Sequence, residues 1–194
     1  MIMKALILLA TLKKEGQSNT QILCEFFTEF LKKENINTET IKLADHEIFP
    51  GTYSNMGAGD AWPAILEKIL DAEIIIFATP VWWGGHSSQM QQVIERLDEL
   101  HDEILEGKES RLMGKTGGII VTGDSDGSQH IIGNISNFYN ALGINLPAFA
   151  TLTVLWEGFA KSENRNREEI LKKLRNDYTP TAEKMAKQLL NAVK

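Results

Sequence analysis

Short apolar runs and amphipathic stretches take turns along this chain. The run at Lys4–Leu9 predicts a first strand. From 18 to 33, Ile22, Leu23, Phe26, Phe27, Phe30 and Leu31 recur at helical spacing. Residues 37–43 alternate apolar and polar positions, as a less buried edge strand does. A long loop at 44–60 carries Pro50 and three glycines, and Trp62, Ile65, Leu66 and Ile69 then mark a second helix. Asp60 is its expected cap, and Pro63 falls in the first turn, where proline is tolerated. The uninterrupted run Ile74-Ile75-Ile76-Phe77-Ala78 reads as a strand buried on both faces. One amphipathic helix follows, with Met90, Val93, Ile94, Leu97 and Leu100 on a single stripe. Further on come a strand at 117–121, a loop at 122–128, a helix to about 141 and a strand at 147–155. The tail at 166–193 is helical, with a break or kink expected at Thr179-Pro180.

This alternation predicts an α/β fold with a parallel sheet and helices on both faces. We expect one five-stranded, three-layer domain over 1–194, since no repeat or linker interrupts the pattern. Right-handed crossovers then bring every strand-to-helix loop to one edge of the sheet.

Composition narrows the function classes. A net charge of −6 argues against nucleic acid as a partner, because a polyanion needs a cationic footprint. No apolar stretch approaches the ~20 residues that span a bilayer. Met1 leads directly into a strand-like run without a basic leader, so secretion is not expected. The single cysteine, Cys24, sits mid-pattern in the first helix, and the expected compartment is the reducing cytoplasm. His46, His86, His101 and His130 show no metal-ligand spacing, and no metal is assigned.

Three loops at the shared edge carry candidate chemistry. The first, 11–20, ends at a helix start, where unsatisfied amides suit a phosphate. Thr11, Ser18 and Thr20 offer hydroxyls and Asn19 an amide, although Ser18 also suits a plain helix cap. The second is Thr79-Pro80-Val81-Trp82-Trp83-Gly84-Gly85-His86-Ser87-Ser88. Its adjacent tryptophans and glycines offer flat apolar surface beside approachable backbone, the chemistry of a planar cofactor such as flavin. The alternative is that both tryptophans are core residues. The third loop, opening Thr122-Gly123-Asp124, is either a wall of the same site or an ordinary turn. Other motifs fail: Gly114-Lys115-Thr116 has Glu109 where a phosphate-binding loop needs glycine, and it precedes a strand.

With these residues the chain resembles the flavodoxin-like NAD(P)H-dependent FMN reductases and quinone reductases, over roughly 3–155. Thr79-Pro80-Val81-Trp82-Trp83-Gly84, Ser87 and Ile94-Glu95-Arg96 follow that family's second-loop pattern closely. The first loop follows loosely, with Thr11 keeping a hydroxyl and Lys13 a charge. Thr122-Gly123 matches the start of the third loop. The cysteine cluster of iron–sulfur flavoproteins has no counterpart at 46–55, which excludes that branch.

The resemblance implies a flavodoxin-like sandwich of strand order 2-1-3-4-5 that binds FMN and uses NADH or NADPH as electron donor. The implied cofactor-binding residues are Thr11, Lys13, Ser18, Asn19, Thr20, Pro80, Val81, Trp82, Trp83, Gly84, Gly85, Thr122, Gly123 and Asp124. The flavin carries the chemistry, so no catalytic side chain is required, and His86 is the sole candidate for a substrate role. The implied activity passes electrons to a small acceptor such as a quinone, a nitro or azo compound, or free flavin. The alternative is a flavodoxin-type carrier that does not oxidise nucleotide, but such carriers are more acidic and use a Thr/Ser-rich phosphate loop. Relatives of this kind form homodimers. Here Phe49, Tyr53, Met56 and Trp62, or Trp156 and Phe159, are the expected cover for a partner's site.

Overall fold

Five parallel strands hydrogen-bond in the order β2-β1-β3-β4-β5 in a computed structural model that describes residues 3–159 and 165–193. They are β1 (Lys4–Leu9), β2 (Asn37–Lys42), β3 (Ile74–Pro80), β4 (Thr116–Gly123) and β5 (Thr151–Leu155). Residues Ile74 to Thr79 of β3 and Thr116 to Thr122 of β4 are all buried, which explains the uninterrupted run Ile74 to Ala78 and the absence of charged residues from both strands. β2 pairs on one side only and leaves most of its residues partly or fully exposed.

Alternate side chains of β1 serve two helical layers. Ala5, Ile7 and Leu9 pack with α1 (Asn19–Lys33) and α6 (Arg167–Ala192). Leu6 and Leu8 face the layer of α2 (Trp62–Asp71), α3 (Ser88–Arg96), α4 (Asp98–Leu105) and α5 (Ser128–Ala141). Gly117 lets α5 lie close on β4: a Cβ there would stand 2.6 Å from the Tyr139 ring. The buried Tyr139 hydroxyl donates to Gly118 O at 3.1 Å. This is the flavodoxin-like three-layer sandwich expected from the sequence.

Several boundaries differ from the sequence reading. The third helical stretch is two helices, because Leu97 (φ −91°, ψ −1°) ends α3 and precedes α4. Its N–H is shared between Val93 O and Ile94 O, which tightens the turn. β5 begins at Thr151 and not at 147. Ala150 N–H closes a turn on Pro147 O, and Phe149 sits at φ +64°, which no strand accommodates. β3 continues through Pro80, paired with Thr122, so Thr79 and Pro80 end a strand instead of opening a loop. α6 runs through Pro180 without a break. Thr179 Oγ1 donates to Arg175 O at 2.8 Å beside the proline, a local bond from side chain to helix backbone. Asp60 lies one residue before the cap position of α2, where Ala61 stands, yet its Oδ1 accepts from the Trp62 amide at 3.1 Å.

Asp60 does more than was expected of it. Its Oδ2 pairs with Arg96 Nη2 at 2.7 Å, and neither side chain is exposed. Arg96 Nη1 also donates to Phe49 O at 2.6 Å, so the pair ties the long 44–61 segment to α3. Burial alone would push the Asp60 carboxyl up. The Arg96 guanidinium and the amides of Trp62, Met56 and Phe49 outweigh it and hold the group below its usual value.

Candidate functional site

A cavity of about 1010 Å³ opens at the carboxyl edge of the sheet, where β1, β3, β4 and β5 hand over to their loops. Open α/β sheets bind ligands at this edge. Its first wall is the start of α1. Ser18 takes an extended conformation (φ −115°, ψ 122°) and caps the helix, its Oγ accepting from Gln21 N at 3.3 Å. That Oγ donates in turn to Thr11 Oγ1 at 2.9 Å, and Thr20 and Thr122 share a hydrogen bond between hydroxyls at 2.8 Å. All four residues are buried. Both readings of Ser18 therefore describe one residue, a cap that also lines the cavity. The Lys13 ammonium donates to Gln17 O at 2.8 Å, within its own loop.

The second wall is a hairpin turn. Trp82 N donates to Gly85 O at 2.8 Å, and Gly85 N donates back to Trp82 O at 2.9 Å. The two central residues, Trp83 and Gly84, have φ of +49° and +77°. Two positive φ values in a two-residue loop are the mark of a type I′ turn. The turn leaves Trp82 51% exposed and Trp83 fully exposed, so neither is a core residue. It is braced from the third loop, where a Cβ on Gly127 would stand 2.7 Å from Gly84 Cα. After the turn, Ser87 caps α3 and its Oγ donates to Ala10 O at 2.7 Å, locking the second loop to the end of β1.

The cavity gathers the residues expected to bind cofactor, except Gly84 and Gly85. These two shape the turn, and the Gly85 amide is consumed in closing it. His86 also lies off the cavity lining, its ring bonded to Ser87 O and Asn134 Oδ1, each at 3.2 Å. The structure adds Leu12, Gln17, Ser125, Trp156, Arg165 and Asn166 to the lining. The last three come from the corner between β5 and α6, which the sequence reading left out of the cofactor site. Trp156 is only 3% exposed, and its Nε1 has no hydrogen-bond partner among the described residues. Its ring stacks on Phe159, with centroids 6.3 Å apart and planes 20° apart. The Asn166 side chain caps α6 in a reciprocal box with Glu169, a signature visible in the sequence.

Cys24 plays no part here, since it is buried and its burial pushes the thiol well up from its ordinary value. Among the described residues, no group of three or more His, Cys, Asp and Glu side chains is placed to hold a metal. No described helix is long and apolar enough to cross a membrane.

Comparison with known proteins agrees with this geometry. The profile of the family described as NADPH-dependent FMN reductase matches residues 3–152. A Mycobacterium bovis protein named divalent metal cation transporter MntH is 33% identical over 150 residues, 75% of this chain and 22% of that protein. The 8-demethyl-8-aminoriboflavin-5′-phosphate synthase of Streptomyces davaonensis is 32% identical over 157 residues, 76% of this chain and 61% of the enzyme. The chain thus spans less than two thirds of the length of either relative. A crystal structure of RosB with bound 8-demethyl-8-formylriboflavin-5′-phosphate superposes with a TM-score of 0.69 at 25% identity, covering 99% of this chain and 82% of that one. Strand order, cavity position and a family match over most of the chain converge, and this protein belongs to the NADPH-dependent FMN reductase family.

Proposed function

We propose that this chain is an FMN-dependent NAD(P)H oxidoreductase that passes electrons to a small-molecule acceptor such as a quinone, a nitro or azo compound, or free flavin. One observation carries the reading. A single cavity joins a helix N-terminus backed by buried hydroxyls to a turn that holds two tryptophan rings in the open. The first suits a phosphate and the second a planar ring system, which are the two ends of FMN. The volume of about 1010 Å³ lies at the upper end of ordinary ligand sites, leaving space for nucleotide or acceptor beside the cofactor.

When bound, FMN supplies the hydride and electron chemistry. The protein's tasks are placement and shielding. Ser18, Asn19 and Thr20 present the start of α1 to the phosphate, and the Thr20–Thr122 bond fixes that helix to β4. Pro80, Val81 and the tryptophan turn form the apolar side that keeps water from the ring, with Thr122 and Gly123 directly beside Pro80 and Val81 and Asp124 next along the chain. No side chain is required as acid or base.

The reading includes a homodimer. Tyr53 is 60% exposed and, with Met56 and Trp83, is apolar surface that a second copy would cover. Trp62 and Trp156 drop out of that role because both are buried in their own subunit. Light scattering is expected to give about twice the 21.7 kDa of the chain.

The central test is the absorption spectrum of purified protein, followed by anaerobic titration with NADH and NADPH. We expect a flavin spectrum that bleaches with at least one nucleotide. Bound FMN that neither nucleotide bleaches would make the protein a carrier. A protein that takes up no flavin would end the proposal.

A further inference from the structure

We propose that the corner between β5 and α6 is a phosphate-monoester subsite, in which the Trp156 indole N–H and the Arg165 guanidinium hold the 5′-phosphate of FMN together with the start of α1. The inference rests on the FMN reading above and goes beyond it, because neither residue belongs to the three loops that define that reading.

Three observations converge. The first is that the side-chain donors of the first loop are already partly engaged within the protein. A phosphate monoester carries about −1.5 to −2 charge and three strong acceptor oxygens. Yet the Lys13 ammonium is engaged by Gln17 O, Ser18 Oγ donates to Thr11, and Thr20 and Thr122 bond each other. The second is an orphan. Trp156 Nε1 is buried, lacks a partner among the described residues, and belongs to a residue that lines the cavity. A buried N–H left unpaired is costly, so at a cavity wall it is a donor that an acceptor on a ligand would satisfy.

The third is that the cation beside it is held in place. Arg165 also lines the cavity and lies over the Phe159 ring at 4.8 Å, and Phe159 stacks on Trp156. Its Nη1 pairs with Glu169 at 3.2 Å, while its Nε is buried without a partner among the described residues. The Arg165 backbone is fixed as well, its carbonyl accepting from Gln17 Nε2 at 2.9 Å across 148 residues of chain. That bond and the Arg167–Glu25 ion pair at 2.9 Å set the start of α6 beside the start of α1. Two helix N-termini, a guanidinium and an indole donor thus border one end of the cavity. Asn166 also borders the corner, with its Oδ1 used in capping α6, and the subsite does not depend on it.

The nicotinamide donor could supply the same chemistry through a 2′-phosphate, and the test separates the sources. Apoprotein of the wild type, Arg165→Gln and Trp156→Phe is titrated with FMN and with riboflavin, following quenching of flavin fluorescence. Arg165→Gln is expected to weaken FMN about tenfold or more and riboflavin less than twofold, as loss of a charge-assisted hydrogen bond requires. Trp156→Phe keeps an aromatic ring in the stack and loses only the donor, so FMN should weaken several-fold with riboflavin nearly unchanged. An unaltered FMN-to-riboflavin ratio in both variants overturns the subsite. So does a variant that keeps its FMN affinity but loses discrimination between NADPH and NADH, which would give the corner to the nucleotide. If the wild type binds neither flavin, the FMN reading itself fails, an outcome distinct from both.

Discussion

The two walls of the cavity invert each other's chemistry. At the α1 wall, polar side chains are buried: Thr11, Ser18, Thr20 and Thr122 are almost wholly shielded and bonded in pairs. At the turn wall, apolar side chains are exposed, with Trp83 fully in solvent on a backbone of positive φ. Either alone has ordinary explanations, since a capped helix buries a hydroxyl and a single surface tryptophan is unremarkable. Facing each other across one cavity, they describe a ligand with a charged end and a flat apolar end. The lesson is that the departures from inside–outside partition mark this site, and they mark it with opposite signs.

The largest effect expected on this comparison lies on the helix that follows the turn wall, α3, whose C-terminal end is anchored by Arg96–Asp60. Asp60→Asn leaves Arg96 buried without its counter-charge, and breaking such a pair costs about 3–5 kcal/mol. Urea denaturation at pH 7 checks this, and a loss below about 1 kcal/mol would show that the pair does not anchor α3. The pH dependence has a definite sign. The Asp60 carboxyl is held below its usual value in the folded chain, so the unfolded chain takes up the proton first. Its stabilisation is whole above the unfolded value of about 3.9 and is lost as pH falls through the folded one. Asp60→Asn should lack that share of the acid limb.

How legible this was in the sequence depended on range. The five strands and their layers were legible because each rests on local periodicity; the run at Ile74 to Ala78 is buried throughout, as read. Boundaries failed where one residue's backbone decided the matter, at Phe149 and at Leu97. The two walls were legible in part, since the loops are contiguous and follow strands. That Gly84 and Gly85 lie off the cavity lining and shape the turn could not be read, because it depends on Gly127 approaching from another loop. The β5–α6 corner was missed for the same reason. A tryptophan just after an alternating strand and a capping box at Asn166 were both visible, but only the packing of α6 beside α1 brings Arg165 to Gln17.

The next effect concerns the α1 wall. Thr20→Val leaves the Thr122 hydroxyl buried and unpaired, at a cost of about 1–3 kcal/mol. Adding Thr122→Val removes both hydroxyls while keeping their shape, and stability should return to within about 1 kcal/mol of wild type. A double-mutant cycle in urea reads the coupling. If the double variant is as unstable as the sum of the singles, the hydroxyls have other partners and the wall is not the paired structure described.

The smallest effect is expected at the most conspicuous residue. Trp83 is fully exposed, so its ring contributes little packing to the folded chain. Its φ of +49° costs a non-glycine residue about 1–2 kcal/mol, which glycine would relieve. Glycine also loses more freedom on folding, by about 0.4–1 kcal/mol. The two nearly offset, and Trp83→Gly should leave the urea midpoint of the apoprotein within about 1 kcal/mol of wild type. A residue placed at positive φ for a ligand should show itself only when the ligand is present. The variant should therefore bind FMN up to about tenfold more weakly, as one aromatic contact of ~0.5–1.5 kcal/mol implies. Riboflavin should weaken by the same factor, because the ring and not the phosphate is in contact. That equality is the reverse of the result expected at Arg165, and it divides the cavity into a ring end and a phosphate end. A Trp83→Gly protein that binds both flavins as wild type does would detach the turn from the cofactor and leave its exposed tryptophans to a second subunit.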